Sequence, residues 1–223
     1  MIITAISDLH NRKDVLDMIL RQATDSDVLL FPGDLTNFGT ATDAQHIVER
    51  ARQTDAAVFA VAGNCDNAGV ERALETLGVS LSGRGSRLQE VGFFGVSGIP
   101  PWQPHMYCFP EEDIAARLAA GAMCVSPCRA AVAVTHVPPY GTNADRNWMG
   151  AHCGSHAVRS FVEKEQPALL ICGHIHEARG SERLGRTLVV NCGAANAGHF
   201  VRISMDSIAQ ETGPHIQVDF LRV

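Results

Sequence analysis

A chain of 223 residues with 46% apolar side chains can bury one substantial core and is too short for two ordinary ones, so a single domain over 1–223 is expected. A formal net charge of −6 without any basic cluster argues against a surface for long DNA or RNA, which relies on neutralising Lys and Arg. No run approaches the roughly 18 apolar residues of a membrane span. Met1 to Asp8 shows neither a basic leader nor a small-residue cleavage site, and seven cysteines are an odd number in a chain that needs no staples, so a cytoplasmic setting with reduced thiols and no membrane partner is predicted.

Taken in order, the chain alternates short apolar runs that stop at a polar residue with segments carrying helical signals. Ile2 to Ile6 leads to Asp8, and Asn11 to Ala23 reads as a helix. Val28 to Phe31 leads to Asp34, and a helix over Thr42 to Gln53 opens with Thr42 and Gln45 in capping-box spacing. Val58 to Ala62 leads to Asn64, followed by a helix over Ala68 to Leu77 that stops at Gly78. Ser86 to Ser97 reads as extended chain, and Trp102 to Phe109 as an exposed loop that could act as a lid. Pro110 to Ala120 has a helix start of proline and two glutamates and a stop at Gly121. Ala131 to Val134 leads to His136. Ser155 caps a helix through Gln166 that Pro167 terminates. Ala168 to Cys172 leads to His174 and His176, and Phe200 to Met205 with Ile216 to Leu221 forms a terminal antiparallel pair.

Alternation of strand and helix predicts an α/β protein with largely parallel strands. The two regions outside the alternation call for a second sheet. The architecture expected is two mixed sheets packed face to face with helices outside, ahead of a single doubly wound sheet.

In α/β sheets, sites form beyond the carboxyl ends of the strands, where loops converge. The run endings supply Asp8, His10, Asp34, Asn64, His136, His174 and His176. Carboxylate, amide and imidazole donors together suit Mn²⁺, Fe²⁺, Co²⁺ or Zn²⁺, and the thiolates of a structural zinc site are missing. That many ligands fit two ions better than one. Asp8 and His10, and likewise His174 and His176, are two apart, which in extended chain points both side chains the same way. Asp34 is the natural carboxylate to stand between ions roughly 3.5–4 Å apart, with water between them as the nucleophile. Such ions would keep the site cationic and attractive to phosphate in an acidic protein.

These residues resemble the ordered signature of the calcineurin-like metallophosphoesterases: D-x-H, GD, GN-H-D or GN-H-E, H, and GH-x-H. The chain reads Asp8-Leu9-His10, Gly33-Asp34, Gly63-Asn64-Cys65-Asp66, His136 and Gly173-His174-Ile175-His176. The resemblance implies a four-layer αββα sandwich of two mixed sheets between helices. It implies one metal on Asp8, His10, Asp34 and His176, and a second on Asp34, Asn64, His136 and His174, which makes Asp34 the bridge. Pro32 to Asn37 and Cys172 to Glu177 look closest to small prokaryotic members. Cys65 departs from the pattern. It stands where the larger branch has a histidine that protonates the leaving group or steadies the phosphate, and where small phosphodiesterases of the family also carry cysteine. A thiol is a poor substitute acid, and Asp66, which would orient that histidine, is left a structural role.

A replacement acid is sought in the loop from Pro138 to Ser155, where His152 is the candidate to contact the phosphate or leaving group, with the helix N-terminus at Ser155 adding backbone donors. His46, His105, His156, His199 and His215 are read as surface or core groups. Cys124 and Cys128 are ordinary thiols, Cys172 and Cys192 core filler. Asn191 either lines the crevice or makes a turn. The function expected is a metal-dependent phosphoesterase with two divalent ions, Mn²⁺ first, then Fe, Co, Ni or Zn, acting on a small phosphodiester; cyclic nucleotides stay within range. A protein-binding scaffold on the same fold is the alternative, and a nuclease or protein phosphatase has little in its favour.

Overall fold

The computed structural model describes residues 1–102, 104–206 and 214–223. In chain order, β1 (Ile2–Ala5), α1 (Lys13–Gln22), β2 (Val28–Pro32), α2 (Ala41–Ala51), β3 (Ala57–Val61) and α3 (Ala68–Thr76) come first. The hairpin β4 (Gly85–Leu88) and β5 (Val91–Val96) follows, then α4 (Glu111–Val125), β6 (Ala130–Thr135), α5 (His156–Glu165) and β7 (Leu169–Cys172). The chain closes with β8 (Gly180–Leu184), β9 (Thr187–Asn191), β10 (His199–Asp206) and β11 (His215–Arg222).

These strands form two sheets, ordered β11-β10-β1-β2-β3 and β4-β5-β6-β7-β9-β8. Both are mixed. The strands β1, β2 and β3 run parallel, as do β5, β6, β7 and β9, while β10, β11, β4 and β8 pair antiparallel around them.

The reason for runs apolar on both faces is visible in β2. Val28 and Leu30, with Ile3 and Ile203, face the second sheet and share a cluster with its Phe93, Val132, Val134 and Ile171. Leu29 and Phe31 face outward onto α1 and α2 through Leu16, Ile19, Ile47 and Val48. A third apolar layer joins the far side of the second sheet to α4 and α5 through Phe94, Ala133, Leu170, Ile114, Leu118, Val158 and Phe161. Strands covered on both sides lose the polar alternation of a half-exposed sheet. Truncating one of these buried side chains to alanine, Leu30 for example, costs about 2–5 kcal/mol. The αββα sandwich expected from the sequence is the fold observed.

Local departures have physical causes. The helix α2 is capped by Thr40, whose hydroxyl accepts from Asp43 N while the Asp43 carboxylate accepts from Thr40 N at 2.9 Å, so the capping box lies two residues before the Thr42–Gln45 pair. Gly121 does not end α4, which continues to Val125. A Cβ on Gly121 would lie 2.8 Å from Arg84 O and 3.1 Å from Phe94 Cβ, so this glycine serves close packing of helix on sheet. The strand β8, Gly-Ser-Glu-Arg-Leu, was not anticipated. It is an edge strand, where charge is favoured over apolar alternation. Among the described residues no helix is long and apolar enough to cross a membrane.

Candidate metal centre

All seven residues singled out as ligands gather where the carboxyl ends of the two sheets meet. Asp8 and His10 follow β1, Asp34 follows β2, Asn64 follows β3, His136 follows β6, and His174 and His176 follow β7. His176 Nε2 lies 3.1 Å from Asp8 Oδ1, and His10 Nε2 lies 3.7 Å from Asp34 Oδ2. His136 Nε2 lies 3.5 Å from Asp34 Oδ1 and 2.8 Å from Asn64 Oδ1. The His136 and His174 rings are 5.0 Å apart, centre to centre, and the His10 and His176 rings 5.7 Å. Donor atoms of Asp8, His10 and His176 lie within 4.8 Å of one another, and so do those of Asp8, Asp34 and His136, and those of His10, Asp34 and Cys65.

The way these pairs converge differs from the expectation. Asp8, His10 and His174 are not in extended chain: their φ angles are +56°, +48° and +68°, and Asp34 has +50°. Left-handed backbone at non-glycine residues is uncommon and costs free energy, and it clusters where function over-determines the local geometry. The chain therefore coils at each strand end, and the ligands meet through coiling instead of strand alternation. Neighbouring loops hold the coils: Asp8 N donates to Gly33 O at 3.1 Å, His10 N to Asp34 O at 3.0 Å, and His174 N to Asp8 Oδ2 at 3.1 Å. Backbone approaches so closely that a Cβ on Gly63 would fall 2.1 Å from Asp34 Oδ1, and one on Gly173 would fall 2.3 Å from Asp8 Oδ2.

The donor set fits cations. His136 Nδ1 faces the Pro32 carbonyl at 2.9 Å, so Nδ1 carries the proton and donates. In the neutral ring that leaves the Nε2 lone pair aimed at two further acceptors, Asn64 Oδ1 and Asp34 Oδ1. Asn64 keeps its oxygen inward because its Nδ2 faces Cys65 Sγ and Met106 Sδ. Three converging lone pairs repel one another unless His136 takes a second proton or a cation sits among them.

Protonation preferences follow from the same crowding. Burial lowers His136, but Asp34 and Asp8 together raise it above the ordinary imidazole range. His176 is raised by its bond to Asp8. His174 is lowered to about 3, by burial first and then by the His136 charge, and His10 is lowered by burial. Asp34 is raised by burial and the Asp8 charge against the pull of His136. Burial would raise Asp8 too, yet the bond from His176 and the surrounding imidazoles hold it at about 2. Burial and the Asp34 charge push the Cys65 thiol upward, as expected for a poor acid.

Asp66 is a buried fastening. Its Oδ1 accepts from Thr36 N at 2.9 Å and Thr36 Oγ1 at 2.7 Å, and its Oδ2 from Gly63 N at 2.8 Å and Leu35 N at 3.2 Å, tying the Asp34 loop to the Asn64 loop. Asn191 is a second one. Its Nδ2 faces the carbonyls of Ala144, Gly173 and Ile175, and its Oδ1 accepts from Gly193 N, which makes it a loop-orienting residue.

His152 stands outside this chain of contacts, on the loop that borders it: Trp148 N donates to Glu177, the neighbour of His176. Its Nδ1 lies 2.6 Å from Oδ1 of the fully buried Asp145, leaving Nε2 unengaged by that bond. Asp145 was missed in the sequence, although Thr142 and Asp145 have capping spacing. The idea of free donors at the α5 N-terminus is overturned. Glu111 already accepts from Ser155 Oγ, from His156 N at 2.9 Å and from Ala157 N at 3.0 Å.

In the region expected to be an exposed loop, Trp102 and Tyr107 sit against the ligands: Tyr107 N donates to Asn64 O at 3.1 Å, and the Trp102 ring stacks on His174 at 5.8 Å. Cys172 and Cys192 are buried, as core filler should be.

Two mixed sheets between helices, with an Asp, Asn and His cluster at the strand ends, are the arrangement of a metallophosphoesterase. Residues 1–178 match the family model described as calcineurin-like phosphoesterase, and the chain belongs to that family. An uncharacterised protein of Methanocaldococcus jannaschii is 32% identical over 200 residues, covering 86% of this chain and 87% of its own. A crystal structure of a Thermus thermophilus protein superposes with a TM-score of 0.74 at 18% identity, over 90% of this chain and 92% of that one. A structure described as a novel archaeal phosphodiesterase gives 0.53 at 15% identity, over 99% and 100%.

Proposed function

We propose that this chain is a phosphodiesterase that acts on a small phosphodiester with two divalent metal ions. The observation that carries the reading is the arrangement at His136, whose Nε2 converges with Asn64 Oδ1 and Asp34 Oδ1 while Pro32 O fixes its tautomer. Asp8, His10, Asp34 and His176 would hold one ion, and Asp34, Asn64, His136 and His174 the other, with Asp34 shared. When bound, such ions supply Lewis acidity at a phosphoryl oxygen and an activated water. Oxygen and imidazole donors make Mn²⁺ the first choice, with Fe, Co, Ni or Zn also compatible.

The chain's own groups do the rest. His174 and His10 are disposed to neutrality and offer lone pairs without releasing protons. His152, held through Nδ1 by Asp145, would give a proton from Nε2 to the departing oxygen, the task Cys65 performs poorly. The Cys65 position, shared by resemblance with small phosphodiesterases, and the fold shared with a protein described as an archaeal phosphodiesterase favour diesters. Free cysteines and the acidic net charge fit a cytoplasmic enzyme of small substrates, with no long nucleic acid and no membrane.

The test pairs metal content with turnover. Mn²⁺-loaded protein should hydrolyse bis-p-nitrophenyl phosphate faster than p-nitrophenyl phosphate, and Asp34→Asn should lose both bound metal and activity. A protein that binds metal yet turns over neither ester with any of the five metals would instead be a scaffold.

A further inference from the structure

Of the large apolar side chains exposed among the described residues, Phe38, Trp102, Tyr140, Trp148 and Met149 lie on loops that follow β2, β5 and β6, the end of the sandwich that carries the ligands. Exposed apolar surface concentrated beside a candidate site calls for an occupant. Trp102 is distinctive in this group because its ring stacks directly on a candidate metal ligand. Its plane lies 26° from that of His174, with 5.8 Å between ring centres, within the range of offset stacking. Yet 44% of the residue remains open.

Its position is built into the fold. The segment leaving β5 is tied at Gly98 N to Ala62 O at 2.8 Å, and the returning segment at Tyr107 N to Asn64 O at 3.1 Å, so both ends are fastened to the chain that carries Asn64. Phe109 N also donates to Ile99 O at 2.9 Å, joining the two segments, and Pro100 and Pro101 restrict the backbone before the indole. An exposed tryptophan fixed one ring away from a ligand does not serve the core, whose side chains lie elsewhere.

We propose that Trp102 is a specificity-determining residue, and that the substrates are phosphate esters in which one ester group carries a planar ring. The inference rests on the phosphodiesterase reading and deepens it. A phosphate drawn to the cation that His174 would help to hold would have its ester group beside the indole that stacks on this ring. A flat ring gains stacking and apolar burial there, and a small alkyl group gains neither. Stacking is tolerant of the ring's substituents, so the selection is for planarity.

Phenylphosphonate and methylphosphonate test this without turnover. Both present the same anion to the metal-loaded protein and differ only in the ring. Calorimetry on the Mn²⁺ form should give about tenfold tighter binding of phenylphosphonate, and Trp102→Phe should keep that preference to within about threefold. Trp102→Ala should abolish it while changing methylphosphonate by less than about twofold. Equal binding of the two by the unaltered protein, a preference that survives Trp102→Ala, or equal weakening of both phosphonates in that variant would overturn the proposal. The last result would make the indole a prop for His174. Binding of neither phosphonate to protein shown to hold Mn²⁺ would overturn the phosphodiesterase reading, and this inference with it.

Discussion

Two buried aspartates organise the catalytic end, and they do so in opposite ways. Asp66 receives its bonds from backbone N–H groups and the Thr36 hydroxyl, and so closes on itself beneath the ligands. Asp145 receives three backbone donors at 3.0 Å, from Gly141, Thr142 and Gly154, but spends its remaining bond on His152, whose side chain is 30% exposed. A carboxylate surrounded by fixed donors can only fasten. One that grips an imidazole passes orientation on to a side chain that reaches solvent.

The largest effect that would break this comparison is on Asp66. Asp66→Ala should lower the unfolding free energy by about 3–5 kcal/mol, because buried donors lose their acceptor, and metal content should fall with it. Denaturant titration beside metal analysis checks both. Asp145→Asn should leave metal content intact and lower kcat for diesters with poor alkoxide leaving groups by about 100-fold, and for p-nitrophenyl esters far less. His152→Ala should match it. The double variant should fall no more than about twofold further, since the two act as a unit; independent losses that multiply would separate Asp145 from His152.

A subtler contrast comes from pH. His136 and His176 are raised above the ordinary imidazole value by their carboxylate neighbours. Each therefore stabilises the metal-free fold fully below about pH 6.5 and loses that contribution as pH rises through its raised value. His174, lowered to about 3, works in the opposite sense, and its contribution is complete above about pH 6.5. As pH rises above about 6.5 and through the two raised values, the metal-free Tm should drop, while the gain in Tm from saturating Mn²⁺ should grow, because metal binding requires neutral imidazoles. Melting curves with Mn²⁺ and with chelator show the divergence; parallel curves would remove these histidines from the metal site. The smallest effect is at Thr36. Thr36→Val should cost about 1 kcal/mol by removing the hydroxyl that donates to Asp66 and accepts from Gly39 N, with metal affinity unchanged.

Much of this end of the molecule was legible in the sequence because each ligand closes an apolar run, and runs covered on both faces have few alternatives to buried strands. The sandwich was legible for the same reason. The left-handed backbone at Asp8, His10, Asp34 and His174 was not, since nothing in a local pattern requires L-residues to adopt it; bonds between loops far apart in sequence impose it. Asp145 and Trp102 lie in loops without periodicity, where only tertiary contacts assign roles. Gly121 carried the same letter as a helix stop, and the close approach of Arg84 and of Phe94 on β5 decided its use.

The tight approach at Gly63 and Gly173 bears on how relatives are sorted. A homologue could inherit every aspartate, asparagine and histidine of the cluster and still be silent. A single methyl group behind Asp34 or Asp8 would push that carboxylate aside while every donor residue stayed in place. Active and lapsed lineages should then be told apart by two positions that contribute no atom to the chemistry.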